Sequence, residues 1–267
     1  MDEIKDVRES VIAGSWYPGR REELAKAVDS FLKNATQEKI KGRIKALISP
    51  HAGYVYSGQV AAFSYRQIKG DKFRRAIVLA PSHHVSFTGA ALSEKTHYRT
   101  PLGDVKISEL AREMMKESKL IKHVPTADEA EHSLEIQLPF LQRVLGEFEL
   151  IPLVVGDLSE KNREELSALL MAHLDDETLI VASTDLSHYF HYDDAVELDR
   201  DCIDAIVKLD IEKAEGCQMC GSSPVLVTMS IAKKLGWKTR LLKYENSGDV
   251  TGDLSGVVGY AAIAFYI

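Results

Sequence analysis

Three histidines in this chain follow apolar runs, and an imidazole placed there can bind a metal or move a proton. The runs at 44–48, 76–80 and 178–182 lead to His51, to His83 with His84, and to His188. In open α/β sheets, ligands bind beyond the carboxyl ends of the strands. A single histidine in such a loop is ordinarily just a hydrogen-bonded loop residue. Three delivered to one edge, out of nine in the chain, point to a site.

The cysteines narrow the chemistry. Imidazole suits iron, copper, zinc and nickel, and a thiolate favours the softer of these. Cys217-Gln-Met-Cys220 has zinc-ligand spacing, but a closed structural site needs four ligands and no second Cys-x-x-Cys exists. A thioredoxin-like pair is disfavoured, because the motif lies late in the chain, far from any early βα turn. The economical use is one cysteine joined to strand-end histidines. Cys220 is better placed than Cys217: Gly221-Ser222-Ser223-Pro224 follows as a helix start, with Ser223 the expected cap and Pro224 in the first turn. A helix N-terminus lowers a thiol pKa and favours the metal-binding thiolate. Cys202 falls inside a helical pattern, where core packing is the expected role.

Asp185 precedes His188 by three residues, and a carboxylate beside an imidazole fixes its tautomer and raises its basicity. With Ser183 these residues resemble a hydrolase triad on paper, although no Gly-x-Ser-x-Gly elbow accompanies them. Glu131-His132-Ser133-x-Glu135 is either a helix-start capping pattern or part of a site wall. No phosphate-binding glycine loop is present.

These residues need elements to position them. Besides the three runs above, 150–155 reads as a strand. Apolar residues recur at helical spacing over 22–32, 107–115, 161–174, 195–209 and 224–235. A further helix is expected at 57–68, with Ser57 as its N-cap. Alternating strands and helices predict an α/β fold with a central, largely parallel sheet covered by helices. Residues 239–244 and 256–266, joined by a glycine-rich turn, read as a closing strand pair, so the sheet should be mixed. The polar segment 95–103 should leave the main sheet. No linker or repeat interrupts the chain, and one domain over 1–267 is expected.

Composition bounds the partners. A net charge of -7 leaves no basic stripe for a phosphate backbone, so nucleic acid is not an expected partner. No apolar stretch approaches the roughly 20 residues that span a bilayer. The opening residues after Met1, Asp2 to Asp6, hold no apolar run, so no signal peptide is expected. Three cysteines make no disulfide framework, and a reducing cytoplasm is the expected location.

A string of motifs then resembles a known family. Ala13-Gly14-Ser15-Trp16-Tyr17-Pro18, Ser49-Pro50-His51-Ala52-Gly53-Tyr54, Pro81-Ser82-His83-His84-Val85, Tyr98-Arg99-Thr100-Pro101-Leu102, Glu131-His132-Ser133, Ser183-Thr184-Asp185-Leu186-Ser187-His188 and Cys220-Gly221 stand in the order found in the Memo family. The family's human member is named for mediating receptor-driven cell motility. The resemblance implies a fold similar to class III, LigB-type extradiol dioxygenases, which bind Fe(II) through two histidines and a glutamate. Memo proteins carry a cysteine in place of that glutamate. Carried over, the implied metal ligands are His51, His83 and Cys220, with His188 as the acid/base histidine and Asp185 beside it. His84, Glu131 and His132 are implied as pocket-lining residues.

The exchange of carboxylate for thiolate puts ring cleavage in doubt and improves the fit to copper. Two classes of function therefore follow. One is an iron- or copper-dependent oxidoreductase acting on a small molecule. The other is a metal-free binding module that accepts a tyrosine-like or phosphorylated peptide in the same pocket. A zinc hydrolase would share the ligands.

Overall fold

The computed structural model describes residues 5–267, and Met1 to Ile4, the first of the opening residues that bear on a signal peptide, lie outside them. Four parallel strands occupy the centre of the main sheet, in the spatial order Ile44–Ser49, Thr178–Ser183, Arg75–Pro81, Glu149–Val155. Their sequences are continuous apolar runs because both faces are covered. All six residues of Thr178–Ser183 are buried. Leu47, Ile77, Leu79 and Ile180 are fully enclosed, each contributing about 1.5–3 kcal/mol by leaving water.

The sheet is mixed, as its closing strands predict. Val257–Tyr266 runs antiparallel to Ile44–Ser49 and is flanked by Lys238–Asn246 and by the short strand His188–Phe190. At the other edge, Ala90–Ala91 pairs antiparallel with Glu149–Val155 and parallel with Ile121–Lys122. Residues 95–103 do leave the sheet: His97–Thr100 and Gly103–Lys106 form a hairpin that pairs with Val7–Arg8 in a separate three-stranded sheet.

Helices cover the sheet in two groups. Arg21–Asn34 and Leu138–Leu145 pack on Tyr54–Arg66, which lies against Ile44–Ser49 and Val257–Tyr266. Glu160–Ala172 packs on Ser222–Leu235, which lies against Arg75–Pro81 and Thr178–Ser183. The result is a single α/β domain. Among the described residues, no helix is long and apolar enough to cross a membrane.

Three local expectations are corrected. The helix expected from Ser57 begins at Tyr54 with Gly53 as its N-cap, because the Tyr54 amide is already held by the Trp16 carbonyl at 2.8 Å. Ser57 sits one turn inside and donates its hydroxyl back to the Ala52 carbonyl at 2.8 Å. Ser223 does not cap its helix either: Ser222–Leu235 starts two residues earlier than expected, and Gly221 occupies the N-cap. The glycine-rich turn before the last strand contains a short helix, Ser247–Thr251, fixed by a capping box between Asn246 and Asp249.

Candidate functional site

Because the four central strands are parallel, Ser49, Pro81 and Ser183 end at one edge, and the loops beyond them meet. His51 is buried there, 2% exposed, while His83 is partly open to solvent. Their rings lie edge to face with centroids 5.1 Å apart. The Cys220 thiol comes from the loop before Ser222–Leu235 and lies 3.0 Å from His51 Nε2. One ligand atom from each of His51, His83 and Cys220 lies within 4.8 Å of the others. That spacing suits a cation bound at about 2.0–2.3 Å from each donor.

The hydrogen bonds behind the rings decide which nitrogens face inward. Ser183 Oγ gives its one proton to the Ser133 carbonyl at 2.7 Å. It therefore accepts from His51 Nδ1 at 2.9 Å, which puts the proton on Nδ1 and leaves the Nε2 lone pair facing Cys220. His83 Nδ1 lies 2.8 Å from Glu131 Oε1, and a carboxylate accepts there, so the His83 Nε2 lone pair is also free. This arrangement also disposes of the triad: Ser183 is fully buried and its hydroxyl proton is committed.

Glu131 is almost fully buried and accepts four hydrogen bonds, from His83 N and Nδ1 and from the His132 and Ser133 amides. Burial pushes its carboxyl up, but these hydrogen bonds outweigh that and hold it well below the usual carboxylate range. With its lone pairs so occupied it is poorly suited to bind a cation, although His83, Glu131 and His132 also cluster within ligand range. Its place is behind His83, holding the ring. His132 stacks on His83 at 4.6 Å between centroids and is covered by Trp16 at 4.3 Å. Burial first, against the pull of Glu131, lowers His132 to about 4. Burial, then the neighbouring His83 and His132, lowers His51 well below its ordinary value. His84 is exposed and lies on an adjoining cleft with Ser82 and Asp157.

Asp185 and His188 open onto the same cleft of about 820 Å³ as His51, His83 and His132. Among the described residues, no hydrogen bond joins the Asp185 carboxyl to His188. Asp185 Oδ1 accepts the His51 backbone amide at 2.7 Å, and the Ala52 amide donates to the same carboxyl. Burial pushes this carboxyl up to about 7 against those two bonds. At His188 burial leads, opposed by a hydrogen bond with the Leu186 backbone and, last, by the charge of Asp199, which is buried in Tyr192–Val207 and bonded to the Ser187 amide and the Tyr244 hydroxyl. The net effect lowers His188. Nothing in the sequence around Asp199 marks it out, since a helical aspartate is ordinarily a surface residue.

The thiol departs from expectation. Without a cation beside it, burial and then the Asp185 charge push Cys220 up to about 12. The helix N-terminus does not win, nor does the Asp185 amide that donates to the sulfur at 3.3 Å and favours the thiolate: burial and the Asp185 charge outweigh both. Gly221 permits this approach, since a Cβ there would stand 2.3 Å from the Ser183 carbonyl oxygen. A half-buried thiol beside two imidazoles whose Nδ1 atoms are already held fits a transition metal, whose charge would favour the thiolate.

Comparisons with known proteins agree with this architecture. A family model described as "Memo-like protein" matches residues 8–264. A MEMO1 family protein of Thermoplasma volcanium is 36% identical over 265 residues, covering 96% of this chain and 97% of that protein. Similar proteins occur in Thermoplasma acidophilum, at 34% identity over 97% of this chain and 99% of the relative, and in Nitrosopumilus maritimus, at 36% over the same shares. The crystal structure of an uncharacterized Escherichia coli K12 protein matches with a TM-score of 0.53 at 14% identity, covering 83% of this chain and 99% of that one. That likeness concerns the fold alone.

Proposed function

This chain belongs to the Memo family, and on that footing we propose that it is a metal-dependent oxidoreductase binding iron(II), or alternatively copper, through His51, His83 and Cys220. The observation that supports the reading is the pair of tautomers: Ser183 and Glu131 hold the two Nδ1 atoms, which leaves both Nε2 lone pairs for one cation once the Cys220 thiol beside His51 Nε2 gives up its proton. Such a cation would supply one-electron redox chemistry and positions open to a small substrate and O₂. Burial keeps His51 neutral, as a ligand must be. His188, on the wall of the same cleft, takes or gives the substrate proton. Asp185, with a carboxyl near 7, keeps the His51 turn in place and can share a proton at neutral pH. Trp16 and His132, with rings 4.3 Å apart, line one side of the cleft.

One observation favours the binding-module reading: Trp16, Tyr56 and Tyr189 are exposed on the cleft rim, a surface suited to an aromatic side chain. Anaerobic purification without tags or chelators, followed by elemental analysis and an O₂-uptake screen, separates the two. A stoichiometric transition metal with substrate-dependent O₂ uptake is the expected result. Metal-free protein that cannot be loaded defeats the oxidoreductase reading and leaves the module. Stoichiometric zinc without O₂ uptake points to a hydrolase.

A further inference from the structure

The cleft shared by His51, His83 and His188 has a mouth that the metal site does not account for. Two stretches build it. Trp16, Val55 and Tyr56 come together because the Trp16 carbonyl accepts the Tyr54 amide at 2.8 Å. Tyr189 and Asp253 come together because the Tyr192 amide donates to the Leu254 carbonyl at 3.0 Å, and a Cβ on Gly256 would stand 3.6 Å from the Tyr189 carbonyl oxygen. All five side chains are exposed, Val55 at 71% and Tyr189 at 80%. Tyr189 is held at φ 64°, where the pairing of its strand slips, and non-glycine residues rarely adopt that conformation. Such an outlier, on an exposed aromatic beside His188, points to a position kept for a ligand.

The charge of the cleft is one-sided. Among the described residues that line it, none is a lysine or an arginine, and the carboxylates are Asp185 and Asp253. Asp185 is buried and committed to the His51 backbone. Asp253 Oδ1 accepts the Ser255 amide at 3.0 Å and the Ser255 hydroxyl at 2.7 Å, which leaves Oδ2 to face solvent without a partner among the described residues. Those two bonds, the amide first, hold the Asp253 carboxyl below its ordinary range, so it is ionised at neutral pH. The Thr251 hydroxyl nearby gives its proton to the Ser247 carbonyl at 3.0 Å. A phosphate or carboxylate is ordinarily held by arginine, and apart from a bound metal this cleft offers no fixed positive charge.

We propose that the substrate of this cleft is a small organic cation, an ammonium group joined to an apolar or aromatic body, with the ammonium beside Asp253 and Tyr189 and the body against Trp16, Val55 and Tyr56. Aromatic faces attract an ammonium through the ring quadrupole, and the same rings bury the apolar part of the ligand. The volume of about 820 Å³ suits a small molecule. The inference names the substrate class of the oxidoreductase reading, and it rests on that reading only for calling the ligand a substrate.

Three probes of one shape and different charge test it: phenethylammonium, phenethyl alcohol and hydrocinnamate, with phenyl phosphate as a second anion. Each is titrated calorimetrically at neutral pH and low salt into full-length protein, as purified and after metal removal. The ammonium should bind about tenfold more tightly than the alcohol, and both anions should bind more weakly than the alcohol in metal-free protein. Asp253→Asn should weaken the ammonium about 2–5-fold and leave the alcohol unchanged. Tyr189→Leu should weaken the ammonium more than the alcohol, and Tyr189→Phe should restore the difference. Metal content and O₂ uptake are measured on the same preparations. Protein that cannot be loaded with metal yet prefers the ammonium defeats the oxidoreductase reading and sustains the cation site; a metal-loaded, O₂-consuming protein without that preference does the reverse. The proposal is overturned if either anion binds metal-free protein as tightly as the ammonium. It is equally overturned if the ammonium does not bind, or if its advantage survives both Asp253→Asn and Tyr189→Leu.

Discussion

The two oxygens of Glu131 hold His83 at two points: Oε1 lies 2.8 Å from the ring Nδ1, and Oε2 accepts the backbone amide of the same residue at 2.7 Å. One buried carboxylate thus fixes both the position and the tautomer of a residue 48 positions away in the chain.

Glu131→Gln keeps the volume but removes the charge that orients the His83 proton. Losing such a partner behind a metal ligand typically costs about 10–100-fold in metal affinity. A titration with Fe(II) or Cu(II) followed by competition with a chelator measures it. Affinity equal to wild type would show that His83 needs no such support.

His188→Ala should retain metal near the wild-type level while turnover falls by about 10²–10⁴-fold. His51→Ala and His83→Ala should abolish metal binding. Elemental analysis of the three variants side by side decides it. If His188→Ala strips the metal as completely as His51→Ala, then His188 is a ligand and the site is closed, as in structural zinc centres.

Metal affinity should rise with pH by about tenfold per unit between pH 7 and 9. The sign follows from Cys220, pushed up to about 12 by burial and the Asp185 charge. The thiol is protonated throughout that window and must release its proton on binding, whereas His51, lowered well below its ordinary value, is already neutral. Isothermal titration in buffers of different ionisation enthalpy counts the released proton. A pH-independent affinity would remove Cys220 from the ligand set.

Gly221→Ala would place its Cβ 2.3 Å from the Ser183 carbonyl and 2.5 Å from Thr184 Cβ. Overpacking of this kind costs about 1–3 kcal/mol. Metal-free protein should melt lower by roughly 2–4 °C for each kcal/mol in a chain of this size. Metal affinity should fall as well, because the neighbouring Cys220 moves with the displaced backbone. An unchanged melting temperature in scanning calorimetry would mean that the contact relaxes freely.

The sequence by itself determined the α/β class, the mixed sheet and the delivery of His51, His83 and His188 to strand ends. These are local properties: burial on both faces writes continuous apolar runs, and each histidine directly follows its strand or the short loop after it. The family motifs determined the relationship, because they recur in order over nearly the whole chain. What surrounds the candidate ligands was decided by the tertiary structure. The pattern left Glu131 between a capping residue and a site wall, and folding put it behind His83. Spacing suggested that Asp185 serves His188, yet its carboxylate binds the backbone of His51, 134 residues away, while burial, and against it the Leu186 backbone, lead at His188. The thiol was expected to be acidic beside a helix start, and burial reversed that. Periodicity records which face of an element is covered. It does not record which of several polar groups brought to the same edge will meet, because strand order and loop path select that partner once the sheet has assembled.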